Sequence, residues 1–494
     1  MIASTLTDRL NDKDLVIDAA LVAGRWVKAS SSSKTFSVTN PSTGETLADL
    51  PDLGPAEAND AIDAAYDAQK DWAAKTSKDR SAVLRRLHNL MVENVDDLAT
   101  ILTAEMGKPL AEAKGEILYG ASYVEWFAEE AKRVYGDVIP GHQGDKRVVV
   151  LKQPIGVVAS ITPWNFPNAM MARKMAPALA VGCAFVAKPA ELTPLSAIAM
   201  GVLAERAGLP KGLFSVLTTT DSAAMGKAFC SNSKVRKLSF TGSTRVGKIL
   251  MKQAAEQVMR TSMELGGNAP FIVFNDADLD AAVEGAMVSK YRNNGQTCVC
   301  ANRIYVQSGV YDAFAAKLVE AVKGLRVGDG FEDGVNAGPL INKAAVDKVE
   351  AHIADATQKG AKVAAGGEPH ARGGTYFQPT VLTGVTSDMA VAREETFGPV
   401  APLFAFDDVD DVIAKANDTE FGLAAYFYAN DLAQVWRVAE ALEYGIVGVN
   451  TGLISNEMAP FGGVKQSGQG REGSKYGIDD YLEIKYVCLG GIEG

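Results

Sequence analysis

A chain of 494 residues exceeds what one hydrophobic core serves, so two or three domains are expected. Hydrophobic residues at 47% and charged residues at 22% give the balance of an ordinary globular protein and argue against disorder. A formal net charge of −11, without a run of Lys and Arg, speaks against nucleic acid as a partner, and an anionic small molecule would need a local cationic pocket.

The opening residues read as a short polar arm followed by a strand pair, 23–27 with 36–38, and the turn Asn40-Pro41-Ser42-Thr43-Gly44. From Pro55 to Tyr135 helical periodicity dominates, with Pro109 in a break after Gly107. Residues 147–151 are β-rich. Strands then alternate with helices: strands at 157–162, 184–187, 213–217 and 237–240, helices reaching Ala178 and over 196–207 and 247–258. A second series runs from Phe271 to about Val449, with strands near 271–274, 303–306 and 446–450. Alternation at this spacing predicts parallel, doubly wound α/β sheets. Residues 481–487 read as a further strand, suited to pairing with another subunit.

Met1 to Arg9 lack a basic segment followed by an apolar one, and the longest apolar stretch, 168–186, is interrupted by Arg173, Lys174 and Pro177. Neither a secretory leader nor a membrane partner is expected, and the cytoplasm is the expected location. The five cysteines, Cys183, Cys230, Cys298, Cys300 and Cys488, are too few and uneven for a disulfide framework. Four scattered histidines give no metal-ligand spacing, so no metal is expected.

Three stretches carry chemistry. Gly242-Ser243-Thr244-Arg245-Val246-Gly247-Lys248 follows a strand and opens a helix, whose free N–H groups favour a phosphate. A P-loop nucleotide hydrolase would place Ser or Thr where Ile249 stands, which disfavours that alternative. Cys298 sits among polar residues after the flexible Gly295, a setting for an accessible thiol rather than a core one. With histidine scarce, the expected base is a carboxylate, and Glu264, beside Gly266-Gly267 at the junction of the two series, is the candidate.

Six motifs in order, Pro163-Trp164-Asn165-Phe166-Pro167, Lys188-Pro189-Ala190-Glu191, Phe240-Thr241-Gly242-Ser243, Met263-Glu264-Leu265-Gly266-Gly267-Asn268, Gly295-Gln296-Thr297-Cys298 and Glu394-Glu395-Thr396-Phe397-Gly398-Pro399, make the chain resemble the aldehyde dehydrogenase superfamily over essentially its full length. The resemblance implies a Cys298 nucleophile, an oxyanion held by the Asn165 amide and the Cys298 N–H, and hydrolysis of a thioester by water that Glu264 activates. It implies a nicotinamide dinucleotide, with Lys188 on the adenosine ribose, Ser243 on the pyrophosphate, Glu395 and Phe397 at the nicotinamide ribose, and Thr162, Pro163, Trp164, Gly242, Val246 and Leu265 completing the surface. Glu191 would hold ribose hydroxyls and repel a 2′-phosphate, so NAD is favoured over NADP. The run Thr218-Thr219-Thr220, where many relatives turn through glycine, leaves the adenine-side contacts open. CoA-acylating relatives lack the Glu264 equivalent, and a non-catalytic descendant would be expected to have lost Cys298, Glu264 or Asn165.

Within the superfamily, residues 291–300, 452–455 and 461–473 are most similar to succinate-semialdehyde dehydrogenases. That subgroup implies that Arg173, Arg292 and Ser455 grip the distal carboxylate of a semialdehyde. Forked arginine donors suit a carboxylate that a protein of this charge would otherwise repel. Succinate semialdehyde is the expected substrate, with glutarate semialdehyde and 2-oxoglutarate semialdehyde as alternatives. The Cys298-Val299-Cys300 spacing suggests an oxidation-sensitive pair. The implied architecture is a dinucleotide-binding domain from 1–134 and 154–265 with part of 460–478, a catalytic domain at 266–459, and a small β arm from 135–153 and 479–494 that builds a homodimer or homotetramer.

Overall fold

Two sheets wrapped by helices organise the computed structural model, which describes residues 2–492. The eight-stranded sheet has the order Gly468–Gln469, Arg260–Glu264, Val235–Thr241, Val157–Ile161, Ala184–Lys188, Phe214–Val216, Ala19–Val22, Arg25–Lys28. The five consecutive strands from Arg260–Glu264 to Phe214–Val216 are parallel. Val157–Ile161 and Ala184–Lys188 are buried at every position, as strands covered on both faces must be. From Val157–Ile161 the chain first builds outward through Ala184–Lys188 and Phe214–Val216. It then crosses to the opposite side with Val235–Thr241 and Arg260–Glu264. The loops leaving Val157–Ile161 and Val235–Thr241 therefore part at the carboxyl ends of the strands, where doubly wound sheets bind ligands.

The seven-stranded sheet has the order Lys362–Ala365, Thr380–Thr383, Val400–Phe406, Ala301–Gln307, Ala269–Val273, Ala424–Tyr428, Ile446–Val449, and Lys362–Ala365 is its antiparallel edge. Alternate residues serve its two faces: Phe271 and Val273 enter one core, Ile272 and Phe274 the other. Residues 265–268 link the sheets. A side chain at Gly267 would place its Cβ 2.5 Å from the Cys298 carbonyl oxygen, so glycine lets the link touch the nucleophile loop. A separate three-stranded sheet pairs Leu482–Leu489 with Arg147–Pro154 and Asp137–Ile139. No helix among the described residues is long and apolar enough to cross a membrane.

The expected α/β class, with two wound sheets and a small β element, is present. The N-terminal expectations need correction. The opening is not a polar arm: Leu6, Leu10 and Leu15 are buried in the core of the first sheet. Arg25–Lys28 pairs with Ala19–Val22, while Thr35–Thr39 pairs with Thr46–Pro51. The local turn at Ala23-Gly24, both with positive φ, closes the first hairpin and forces that pairing. The helix expected at 247–258 is Thr244–Ala255, because Ser243 caps its start by accepting from Val246 N–H.

Candidate active site

The parted loops and the link between the sheets enclose a cleft of about 990 Å³ that opens to solvent. Its walls carry Cys298, Glu264 and Asn165 together with Pro163, Trp164, Gly242, Ser243, Leu265, Glu395 and Phe397, expected at a cofactor, and Arg173, Arg292 and Ser455, expected at the substrate's carboxylate. Thr162, Lys188, Glu191 and Val246 do not line this cleft. Tyr119, Met170 and Lys348 line it without having been singled out in the sequence, and Phe166 and Phe461 line it although they stood there only as members of motifs, with no site role.

Cys298 is half-buried, and the surrounding protein pushes its thiol up to about 12. The positive charges of Arg173 and Arg292 oppose that shift, while the charge of Glu264 adds to it. The approach to Cys298 is tightly built. Asn293, Asn294 and Gly295 have φ of 51°, 53° and 76°, three consecutive left-handed residues. Asparagine is the non-glycine residue best suited to that region, and strain of this kind collects at functional sites. The turn is held from several sides: Asn293 N–H donates to Glu112 at 2.8 Å, Asn294 Nδ2 to the Gly338 carbonyl at 2.8 Å, and the Gln296 Oε1 accepts from Ile341 N–H at 2.9 Å. A Cβ at Gly295 would meet the Gly398 carbonyl oxygen at 2.2 Å.

Asn165 Nδ2 donates to the Gln296 carbonyl at 3.0 Å, which leaves its second amide proton for the cleft. The Cys298 N–H makes no backbone hydrogen bond among the described residues. Beneath Asn165 lies a buried ion pair: Lys108 Nζ donates to Glu116 at 2.5 Å and to the Asn165 carbonyl at 2.8 Å, and stands 3.8 Å from the centre of the Phe166 ring. Glu116 in turn accepts from Asn168 and Ala169 N–H, capping the helix Pro167–Val181 from another helix. Lys108, Glu112 and Glu116 are contacts between distant segments, and no local pattern announces them.

Glu264 ends its strand, and its backbone carbonyl accepts from Gly242 N–H at 3.0 Å. Its side chain is buried with Oε2 lacking a hydrogen-bond partner, and burial, with Glu472 nearby, pushes its pKa up to about 8. Glu472 forms ion pairs with both Arg173 and Lys174, all three buried. Two cations to one carboxylate leave this cluster positive. The Arg173 guanidinium lies 4.3 Å from the centre of the Phe461 ring, and its Nη2 has no hydrogen-bond partner. One edge of Arg173 is thus committed to Glu472, a contact the sequence does not reveal. Arg292 has no carboxylate within ion-pair distance among the described residues and lies 5.5 Å from the Phe166 ring centre.

The cofactor-side residues suit a dinucleotide. Ser243 is exposed at the start of a helix, where unsatisfied N–H groups meet phosphate. At Gly242 a Cβ would meet the Phe240 ring at 2.6 Å, so glycine lets the chain pack against that ring as it enters the helix. Glu395 Oε1 accepts from Gly267 N–H at 3.2 Å, and burial pushes its carboxyl up to about 7. Phe397, with φ of 56°, packs edge-on against Trp164. Further out, Lys188 Nζ donates to Glu191 at 3.0 Å and to Ser222 Oγ at 2.7 Å. Ser222 begins the helix Ser222–Ser231, which Asp221 caps by accepting from Ala224 N–H. The Thr218–Thr220 run turns back onto the N-terminal segment: Thr218 Oγ1 donates to the Pro51 carbonyl, and Thr219 and Thr220 to Asp52. Cys298 and Cys300 are both free thiols, and Cys300 Sγ lies buried against the Lys290 carbonyl at 3.2 Å. No cluster of His, Cys, Asp and Glu that could hold a metal occurs among the described residues.

A family model described as the aldehyde dehydrogenase family matches residues 26–487. The glutarate-semialdehyde dehydrogenase of Pseudomonas aeruginosa is 63% identical over 484 residues, covering 98% of this chain and 100% of that protein. The NADP(+) succinate-semialdehyde dehydrogenase of Escherichia coli is 62% identical over 482 residues, covering 98% and 100%. The crystal structure of succinate-semialdehyde dehydrogenase from Burkholderia pseudomallei superposes with a TM-score of 0.96 at 62% identity, covering 97% of this chain and 99% of that one. The chain belongs to the aldehyde dehydrogenase family, NAD(P)-dependent oxidoreductases.

Proposed function

We propose that this enzyme oxidises a short aldehyde bearing a distal carboxylate, succinate semialdehyde foremost and glutarate semialdehyde next, to the corresponding dicarboxylate. One observation carries the reading: the cleft that holds Cys298 also holds Arg292 without a carboxylate partner, the unpartnered Nη2 of Arg173, and Ser455, in a protein of net charge −11. An anionic tail satisfies all three groups. The relatives named for glutarate and succinate semialdehydes support both chain lengths.

Cys298 sulfur attacks the aldehyde carbon as its thiol proton is released to water in the open cleft, which leaves Glu264 free for the second step. The resulting oxyanion is held by the free Asn165 amide proton and the Cys298 N–H. A bound nicotinamide would supply the acceptor for the hydride that leaves the substrate carbon. A thioester on Cys298 remains. Glu264 then takes a proton from water, the hydroxide adds to the thioester, and the carboxylate leaves with Cys298 restored. Ser243, Glu395 and Lys188 would hold the dinucleotide, and NAD would be preferred because Glu191 stands beside Lys188, where its charge would oppose a 2′-phosphate. The relative named for NADP(+) keeps NADP as the second cofactor. Exposed Val138, Ile484 and Tyr486 on the three-stranded sheet support its use between subunits of a homo-oligomer.

Arg292→Ala tests the substrate reading. Loss of a charged hydrogen bond of ~1.5–3 kcal/mol raises KM for succinate semialdehyde roughly tenfold to a hundredfold, with the KM of butanal nearly unchanged. An equal rise for both aldehydes contradicts the assignment.

A further inference from the structure

Ser455 belongs to a segment, residues 451–459, with little packing of its own. Leu453 and Met458 are exposed, and Ile454 is the residue of the segment that packs against a core. Asn456 Oδ1 accepts from Met458 and Ala459 N–H, which shapes the turn internally but ties it to nothing else. Two bonds anchor it from outside. Ser474 N–H donates to the Glu457 carbonyl at 2.7 Å, and the Tyr123 hydroxyl contacts the Asn456 carbonyl at 3.2 Å.

The direction of the second anchor is forced. A backbone carbonyl only accepts, so the Tyr123 hydroxyl donates its single proton to Asn456. Tyr119 and Tyr123 hydroxyls lie 2.9 Å apart, so in that contact Tyr123 accepts and Tyr119 donates. Both rings sit on the helix Leu110–Glu130, one turn apart and edge to face, with centroids 5.0 Å apart. Tyr119 lines the cleft, and Tyr123 is fully buried. Burial holds the Tyr123 hydroxyl well above the ordinary tyrosine range, so it remains a donor at any working pH. The same helix carries Glu112, which receives Asn293 N–H from the nucleophile turn, so one rigid element braces both the nucleophile loop and the segment of Ser455.

We propose that Tyr123 is a positioning residue for substrate selection: its hydroxyl, oriented by that of Tyr119, fixes the Asn456 peptide so that Ser455 faces the anionic end of the aldehyde. This rests on the proposed role of Ser455 and deepens it. Tyr123 touches neither the aldehyde carbon nor Cys298, so the device acts on the tail of the substrate and not on the chemistry.

The test compares Tyr123→Phe, Tyr119→Phe and Ser455→Ala in steady-state kinetics with succinate semialdehyde and with butanal, its uncharged counterpart in length. Tyr123→Phe keeps the ring and removes one neutral hydrogen bond, so KM for succinate semialdehyde is expected to rise about fivefold, equivalent to ~1 kcal/mol. Its kcat, and both constants for butanal, stay within about twofold. Tyr119→Phe moves KM the same way by less, and it decides the matter if Tyr123→Phe does not fold. Equal changes for the two aldehydes, or no change while Ser455→Ala discriminates, overturn the Tyr123 inference alone. If Ser455→Ala itself fails to discriminate, the Ser455 assignment falls and the inference with it.

Discussion

Lys108→Met offers the sharpest test of how the oxyanion donor is held. Lys108 is buried, as is Glu116, and burial already lowers the pKa of the lysine against the pull of Glu116. Methionine fills a similar volume but leaves Glu116 inside the protein without its cation. Breaking a buried pair in this way costs about 3–5 kcal/mol. The Asn165 carbonyl loses its 2.8 Å donor as well, and with it the brace that orients the side-chain amide. Loss of one oxyanion donor is worth roughly a hundredfold to a thousandfold in turnover, an upper bound here because Asn165 itself remains. The variant is therefore expected to melt earlier and to lose kcat by about tenfold to a hundredfold, with the KM for succinate semialdehyde little changed. Thermal unfolding and steady-state kinetics measure both. A variant that melts early but turns over like the parent would show that Lys108 supports the fold alone, and would refute the link from the ion pair to the donor.

Glu264 must be ionised to accept a proton, and its carboxyl is pushed up to about 8. Below that value it is protonated and idle, so turnover limited by hydrolysis should climb about tenfold per pH unit and level off above about 8; a profile flat from about pH 6 to about pH 9 argues against Glu264 as the base. Glu191→Ser removes the carboxylate beside Lys188 and is expected to shift the NADP-to-NAD ratio of kcat/KM upward by about tenfold or more, while an unmoved ratio would place cofactor choice elsewhere.

Much of this molecule is legible in its sequence because the information is local. Hydrophobic runs such as 157–161 and 184–188 announce strands buried on both faces, whereas the cap at Ser243 starts its helix at Thr244, three residues before the expected 247. The residues expected in the cleft that flank such strand ends are brought together there. What is not legible depends on distant partners. Leu6, Leu10 and Leu15 are too sparse to advertise burial, yet the body of the protein covers them. Glu472 meets Arg173 and Lys174 from the far end of the chain, and Tyr123 meets Asn456 across a comparable separation. Periodicity cannot report such contacts, and they decide how Arg173 and Ser455 are presented. The Thr218–Thr220 run looked like a departure at the adenine side, and Asp52 explains it as a tether to the N-terminal segment.

The central claim is a thioester on Cys298 that waits for Glu264. Glu264→Gln mixed with NAD and succinate semialdehyde, quenched in acid and digested, is predicted to give one equivalent of NADH and a succinyl group on the peptide that contains Cys298. A burst of NADH with that peptide unmodified, or with the acyl group on Cys300, would contradict the account.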